Sequence, residues 1–172
     1  MLELDAWLEI AKSAALKGGK YLLENQGQEL KILLNEGRDI KLQLDTDTEK
    51  LIKDSLGSQS EFSILGEETG LSNDLGEFYW VVDPLDGTSN FLRGIPISCV
   101  SIALMQNLTP ILGVIYDFNH DDLYFGHLES KAFLNQIEIA VSNYSEKSQS
   151  TLVTGIPAKT HYSDHEFQNM IF

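Results

Sequence analysis

Apolar residues recur at three- and four-residue intervals over the first two dozen positions. Leu4, Trp7, Leu8, Ala11, Ala14, Ala15, Gly18 and Leu22 fall on one face of an amphipathic helix. Gly18 and Gly19 sit inside it. Glycine costs a helix about 1 kcal/mol against alanine, so the pair implies close packing against a neighbour. Gly27 closes the helix, and the next stretch is mixed: Leu30 to Leu34 is apolar, while Ile40, Leu42 and Leu44 alternate as a strand does. A second helix is predicted from Asp45 or Thr46, with Thr46 and Glu49 spaced as a capping box. Leu51, Ile52 and Leu56 give it a buried face, and Gly57 ends it.

From Glu61 the period changes. Phe62 to Leu65 is a short apolar strand that runs into Gly66-Glu67-Glu68, and Thr69 to Glu77 is a polar loop. Phe78 to Val82 is a continuous aromatic and β-branched run, the pattern of a strand buried on both faces. Ile97 to Met105 alternates, with Val100, Ile102 and Leu104 on one side and the small Cys99, Ser101 and Ala103 on the other. Pro110 to Tyr116 and Leu123 to Gly126 follow after turns, which makes an antiparallel meander. Ser142 to Ser150 is loop-like, Leu152 to Thr154 a short strand, and Phe167, Met170 and Ile171 form a stripe on a last helix. That pattern runs to Phe172 without a cap or a glycine, and the expectation is a truncated chain that self-associates through its C-terminal third.

Composition narrows the function classes. The 172 residues suit one domain with a real core. A net charge of −14 argues against nucleic acid and anionic membranes as partners, because both need basic patches. The single cysteine, Cys99, excludes an internal disulfide framework. No apolar run approaches the roughly 20 residues of a membrane helix, and no basic leader precedes an apolar stretch, so a cytoplasmic protein is expected.

The chemistry concentrates in Trp80-Val81-Val82-Asp83-Pro84-Leu85-Asp86-Gly87-Thr88-Ser89-Asn90-Phe91. A buried strand delivers two carboxylates to its carboxyl end, where open sheets bind ligands. Gly87 permits close backbone approach, and Thr88 to Asn90 can open a short helix whose free N–H groups suit phosphate oxygens. If the strand before it is a neighbour, Glu67 approaches Asp83 and Asp86. Converging carboxylates raise one another's pKa unless cations lie between them. Asp45 is a further acidic candidate, with a plain N-cap as its simpler role.

Gly66-Glu67-Glu68 followed by that Asp83-to-Phe91 string resembles the signature of the inositol monophosphatase family, and the resemblance runs from Leu4 to about Pro157. It implies an α/β fold, an α+β layered sandwich of the sugar-phosphatase type. Residues 1–172 would be its N-terminal metal- and phosphate-binding part, helices plus an antiparallel sheet, with the C-terminal half lacking. The implied activity is Mg²⁺-dependent, lithium-sensitive hydrolysis of a small phosphate monoester, inositol monophosphate first. A 3'(2'),5'-bisphosphate nucleotidase, a sugar or histidinol phosphatase, or an inactive fragment that keeps only metal binding are the alternatives. Two or three Mg²⁺ ions are implied. By resemblance, Glu67, Asp83, Asp86 and the Leu85 carbonyl are the metal ligands, and Gly87, Thr88 and Ser89 bind the phosphate. Glu67 and the Thr88 hydroxyl attend the attacking water, and Asp45 supports a third, weaker ion. A homodimer is implied for the full-length protein.

Two departures stand out. The family's late tryptophan-aspartate motif has no match, since Trp7 and Trp80 are the only tryptophans, and Leu42 stands where threonine is common. The selecting half of the substrate site would then be missing. Other signals count for less. Tyr116 to Asp122, with His120 and three carboxylates, reads as a solvated hairpin, and Cys99 reads as core. The i, i+4 pair His161 and His165 has zinc spacing but no third ligand. The two residues between Asp83 and Asp86 do not fit a dehalogenase-type nucleophile loop, in which a single residue separates the two aspartates.

Overall fold

The computed structural model describes residues 3–36, 39–72, 74–143, 146, 148 and 151. The expected strand at Leu152–Thr154, the helix of Phe167, Met170 and Ile171, the His161–His165 pair and parts of the Ser142–Ser150 loop lie outside them.

Helix α1 (Leu4–Asn25) buries the stripe that its periodicity predicts, from Leu4 through Ala14 and Ala15 to Leu22. Its glycine pair is the point of closest approach. A Cβ on Gly18 would lie 2.8 Å from Ile52 of the second helix, and one on Gly19 would lie 2.5 Å from the Tyr116 ring. An antiparallel hairpin, β1 (Ile32–Glu36) and β2 (Asp39–Leu42), leads into α2 (Gln43–Gly57). That helix starts two residues earlier than its sequence suggests, with Leu42 as N-cap residue. The predicted Thr46–Glu49 box does not form. Asp45 instead reaches back, and its Oδ2 accepts the Leu42 N–H at 2.9 Å.

The remaining elements are β3 (Ser63–Gly66), β4 (Gly70–Leu71), β5 (Phe78–Asp86), α3 (Thr88–Leu92), β6 (Cys99–Gln106), β7 (Thr109–Asp117), β8 (Asp122–His127), β9 (Ala132–Leu134) and β10 (Ile137–Ile139). Among the described residues eight strands form one sheet, ordered β10-β9-β8-β7-β6-β5-β3-β4. The meander from β5 to β10 is antiparallel as expected, but β3 and β5 run parallel, so the sheet is mixed. β4 pairs antiparallel with β3 at the sheet edge, and β3 and β5, being parallel, end on the same side.

Trp80, Val82, Val100, Ile102, Leu104, Val114 and Tyr116 are buried in one core with the apolar stripes of α1 and α2. Trp80 is fully buried, and its indole N–H donates to Ser60 Oγ at 2.8 Å. Removing such a ring typically costs about 3–5 kcal/mol. At the other end of β5, Trp7, Phe62 and Phe78 pack edge-to-face or tilted, with ring centroids 5.1–5.8 Å apart. The residues of alternate parity, Ser101, Ala103 and Gly113, are half-buried, and Ile115 and Tyr124 are exposed. The layers thus match an α/β sandwich built on one covered sheet face. No helix among the described residues is long and apolar enough to cross a membrane.

Candidate functional site

The site begins with strand register. Because β3 and β5 are parallel, Gly66 lies beside Val82, and the next residue on each strand is a carboxylate, Glu67 beside Asp83. The Glu67 N–H donates to the Val82 carbonyl at 3.1 Å, which extends the ladder by one bond and fixes the turn against β5.

Asp83 and Asp86 would point to opposite faces of a regular strand, since side chains alternate. The register shows why they do not. Asp83 lies opposite Ser101 and Asp86 opposite Cys99, so β5 carries one residue more than β6 across this stretch. A bulge with an extra residue reverses the alternation. Pro84 has no N–H to give the ladder and sits within the bulge. Both aspartates therefore face Cys99. The thiol lies 3.8 Å from Asp86 Oδ2, and it is half-buried on the carboxylate side of the sheet, not in the core. Burial, then the charges of Asp86 and Asp83, push the Cys99 thiol up to about 12.

Electrostatics mark this corner. Asp83 is pushed up to about 8, first by burial, then by a hydrogen bond with Glu67 and by the charges of Glu67 and Asp86. Two carboxyl groups share a hydrogen bond only when one holds a proton. The Leu85 N–H, donating to Asp83 Oδ1 at 3.1 Å, opposes the shift but does not cancel it. Asp45 is 1% exposed and is pushed up to about 7 by burial against the Leu42 N–H, with the Glu68 and Glu67 charges adding to the rise. Its second oxygen, Oδ1, is buried and has no hydrogen-bond partner.

Glu49, one turn further along α2, is equally buried but fully engaged. It accepts the N–H of Glu68 at 2.7 Å, the N–H of Thr69 at 3.1 Å and the Thr69 hydroxyl, and Lys53 Nζ lies 3.2 Å away. Burial alone would raise its pKa. The Thr69 hydroxyl, the Glu68 N–H and Lys53 outweigh burial and hold it below its ordinary value. Glu68 itself pairs with Lys41 at 3.0 Å.

Beyond Asp86 the chain turns at Gly87, whose φ of +89° disfavours any side chain. A Cβ there would also meet the Ile97 carbonyl at 2.7 Å. Helix α3 opens directly afterwards. Its first N–H groups, from Thr88 and Ser89, have no intrahelical acceptor by the geometry of a helix start. The Thr88 hydroxyl donates to the Leu85 carbonyl at 3.1 Å. Arg93 donates through Nη1 to the Ser89 carbonyl at 2.9 Å and also to the Ser89 hydroxyl. A cavity of about 730 Å³ adjoins this turn, lined among others by Asp86, Gly87, Asn90, Ser98, Asp117 and His120. That volume suits a small-molecule ligand. The supposed solvated hairpin thus forms one wall, with His120 Nδ1 held 2.7 Å from Asp117 Oδ2.

The structure brings Glu67, Asp83, Asp86, Gly87, Thr88 and Ser89 to one end of β5, with Asp45 within electrostatic reach of Glu67. As arranged, no three His, Cys, Asp or Glu side chains among the described residues close into a ligand shell. The donor set nonetheless fits a hard divalent cation. It is all oxygen, one buried oxygen is orphaned, and two of its carboxyls hold protons more tightly than usual, first through burial and then through neighbouring carboxylates. Reasoning from sequence missed Glu49 as more than a cap, Cys99 as a site-facing thiol, and Arg93. Glu49 had a readable signal: it lies at a three-residue spacing from Ile52, on the apolar stripe.

Comparison with known proteins gives a consistent result. A family model described as "Inositol monophosphatase family" matches residues 3–171. The "Fructose-1,6-bisphosphatase/inositol-1-monophosphatase" of Aquifex aeolicus is 35% identical over 163 residues, 93% of this chain and 62% of that protein. The solved inositol monophosphatase of Anabaena (Nostoc) sp. PCC 7120 is 35% identical with a TM-score of 0.72, over 84% of this chain and 53% of that one. An "IMPase/NADP phosphatase complexed with Mg2+ and phosphate" is 25% identical with a TM-score of 0.62, over 72% of this chain and 48% of that one. The chain spans about three fifths of the curated relative's length and about half of the solved chains.

Proposed function

Since the chain belongs to the inositol monophosphatase family, we propose that it is the cation- and phosphate-holding part of a phosphatase that hydrolyses a small phosphate monoester, with inositol monophosphate as the first substrate. The observation that carries this reading is the corner at the end of β5, where Asp83 is driven up to about 8 by burial and by Glu67 and Asp86, directly beside the Gly87–Thr88 turn. Glu67, Asp83, Asp86 and the Leu85 carbonyl would hold two Mg²⁺ ions, and Asp45, through its unpartnered oxygen, would support a third. When bound, such ions polarise a phosphoryl oxygen and lower the pKa of a coordinated water.

The chain's own residues position the rest. The N–H groups that open α3 bind the phosphoryl oxygens. The Thr88 hydroxyl, already oriented by the Leu85 carbonyl, and the Glu67 carboxylate would together orient the attacking water. Ser89, held by Arg93, supports the phosphate. The cavity beside Asp86 takes the organic part. The solved relative that holds Mg²⁺ and phosphate supports this cofactor and substrate class. The double name of the Aquifex protein makes fructose 1,6-bisphosphate the second substrate to assay.

Titrating Mn²⁺ into the chain and into Asp83→Asn tests the reading. Loss of a direct ligand should weaken binding by at least the roughly 10–100-fold that follows changes in supporting residues. Equal affinities would overturn it.

A further inference from the structure

We infer that Glu49 is a positioning residue for Glu67: its buried carboxylate builds the turn that aims Glu67 at the cation, without touching the cation itself. The inference rests on the cation-binding reading of Glu67 above and adds to it a residue that acts from beneath.

Four observations carry it. Glu49 is fully buried on α2, yet its hydrogen bonds leave that helix and go to residues 68 and 69, nineteen and twenty positions later. They are main-chain bonds, so they fix the path of the turn and not merely a neighbouring side chain. The carboxylate seats directly under the residue before Glu67: a Cβ on Gly66 would run into Glu49 Oε1 and Oε2, so glycine there leaves room for the carboxylate in this position. On its other side the turn is bound to β5 through the Glu67 N–H and the Val82 carbonyl. Glu67 is thus clamped between two fixtures, one on α2 and one on β5, while its own side chain stays exposed toward Asp83. Carboxylates beneath a metal ligand commonly act this way, by fixing the ligand's direction and not by binding the ion. Lys53 donates to the Thr69 hydroxyl at 2.6 Å as well as facing Glu49, so the support is cross-linked.

A double-substitution cycle on Mn²⁺ binding tests this. Affinities and the number of water molecules coordinated to Mn²⁺ are measured for the wild-type chain, Glu49→Gln, Glu67→Gln and the double variant. Glu49→Gln puts an amide donor against N–H donors and should weaken Mn²⁺ binding about 10-fold. With Glu67 already replaced, the same change should alter affinity by less than about 2-fold, the scatter of independent sites. The water count should rise equally in either single variant and no further in the double. The same loss in both backgrounds would overturn the inference. Should Glu49→Gln fail to fold by circular dichroism, Thr69→Val, which removes one donor to Glu49 and leaves the buried charge, replaces it in the cycle. A smaller loss seen only with Glu67 present supports the inference, and unchanged affinity overturns it. Should Glu67→Gln alone leave Mn²⁺ affinity unchanged, the cation reading of Glu67 fails first and the inference with it.

Discussion

Asp45 and Glu49 stand one turn apart on α2, both essentially out of contact with water, and their acidities move in opposite directions. Glu49 faces a turn that supplies two main-chain N–H groups and a hydroxyl, and Lys53 of its own helix adds an ammonium. Asp45 has one N–H for two oxygens and looks toward other carboxylates. Burial raises both, so it cannot account for the difference between them. Donor supply decides. A carboxylate whose demand is met inside the protein is part of the scaffold, and one whose demand is left open is waiting for a positive charge from outside.

The largest effect should come from the satisfied member. Glu49→Leu removes the acceptor and leaves the N–H groups of Glu68 and Thr69 and the Lys53 charge without it. Breaking a buried charged cluster from one side costs about 3–5 kcal/mol, readable as a fall in urea midpoint. A loss below about 1 kcal/mol would mean that the turn finds other acceptors and that the contrast is false.

Next comes pH. Asp83 and Asp45 have folded-state pKa values of about 8 and 7, above the 3.8 of a free aspartate, so the folded chain holds more protons than the unfolded chain between pH 4 and 8. Stability therefore falls as pH rises through that window. With chelator present the fall should be on the order of a few kcal/mol, under the ceiling of about 1.4 kcal/mol per pKa unit because Asp83 is only half-buried and solvent screens its share. Glu49, lowered from 4.5, has the reverse sign and loses its contribution only as pH drops below its ordinary value. Mn²⁺ should flatten the decline above pH 6. Thermal scans at several pH values, with and without Mn²⁺, decide; a metal-free stability that rises from pH 5 to pH 8 would break the account.

The smallest effect belongs to the unsatisfied member. Asp45→Asn removes a buried charge, and at pH 8 without cations it should stabilise the chain by about 1 kcal/mol. Destabilisation in urea unfolding would show that the Asp45 charge has a partner within the protein.

How far the sequence foretold this follows from the range of the interactions. The strand at Trp80–Val82, the Gly87 turn and the helix at Thr88 are local, and residue types alone imply them. The convergence of Asp83 and Asp86 depends on a bulge whose extra residue is defined only against β6, so Pro84 hints at it and the partner strand establishes it. The same missing parity sent Cys99 to the core. Glu49 looked like a capping residue because its true partners lie some twenty positions downstream. The parallel pairing of β3 with β5 and the short strands β9 and β10 likewise needed the tertiary structure.

The glycine pair of α1 bears on the order in which the chain folds. Two adjacent glycines withhold about 2 kcal/mol of helix propensity, so a peptide of residues 4–25 alone should be largely unstructured. The helix gains its stability from lying flush against Ile52 and the Tyr116 ring, contacts that exist only once α2 and β7 are in place. Its formation is then a late event, and substitutions along its buried stripe should speed unfolding far more than they slow folding.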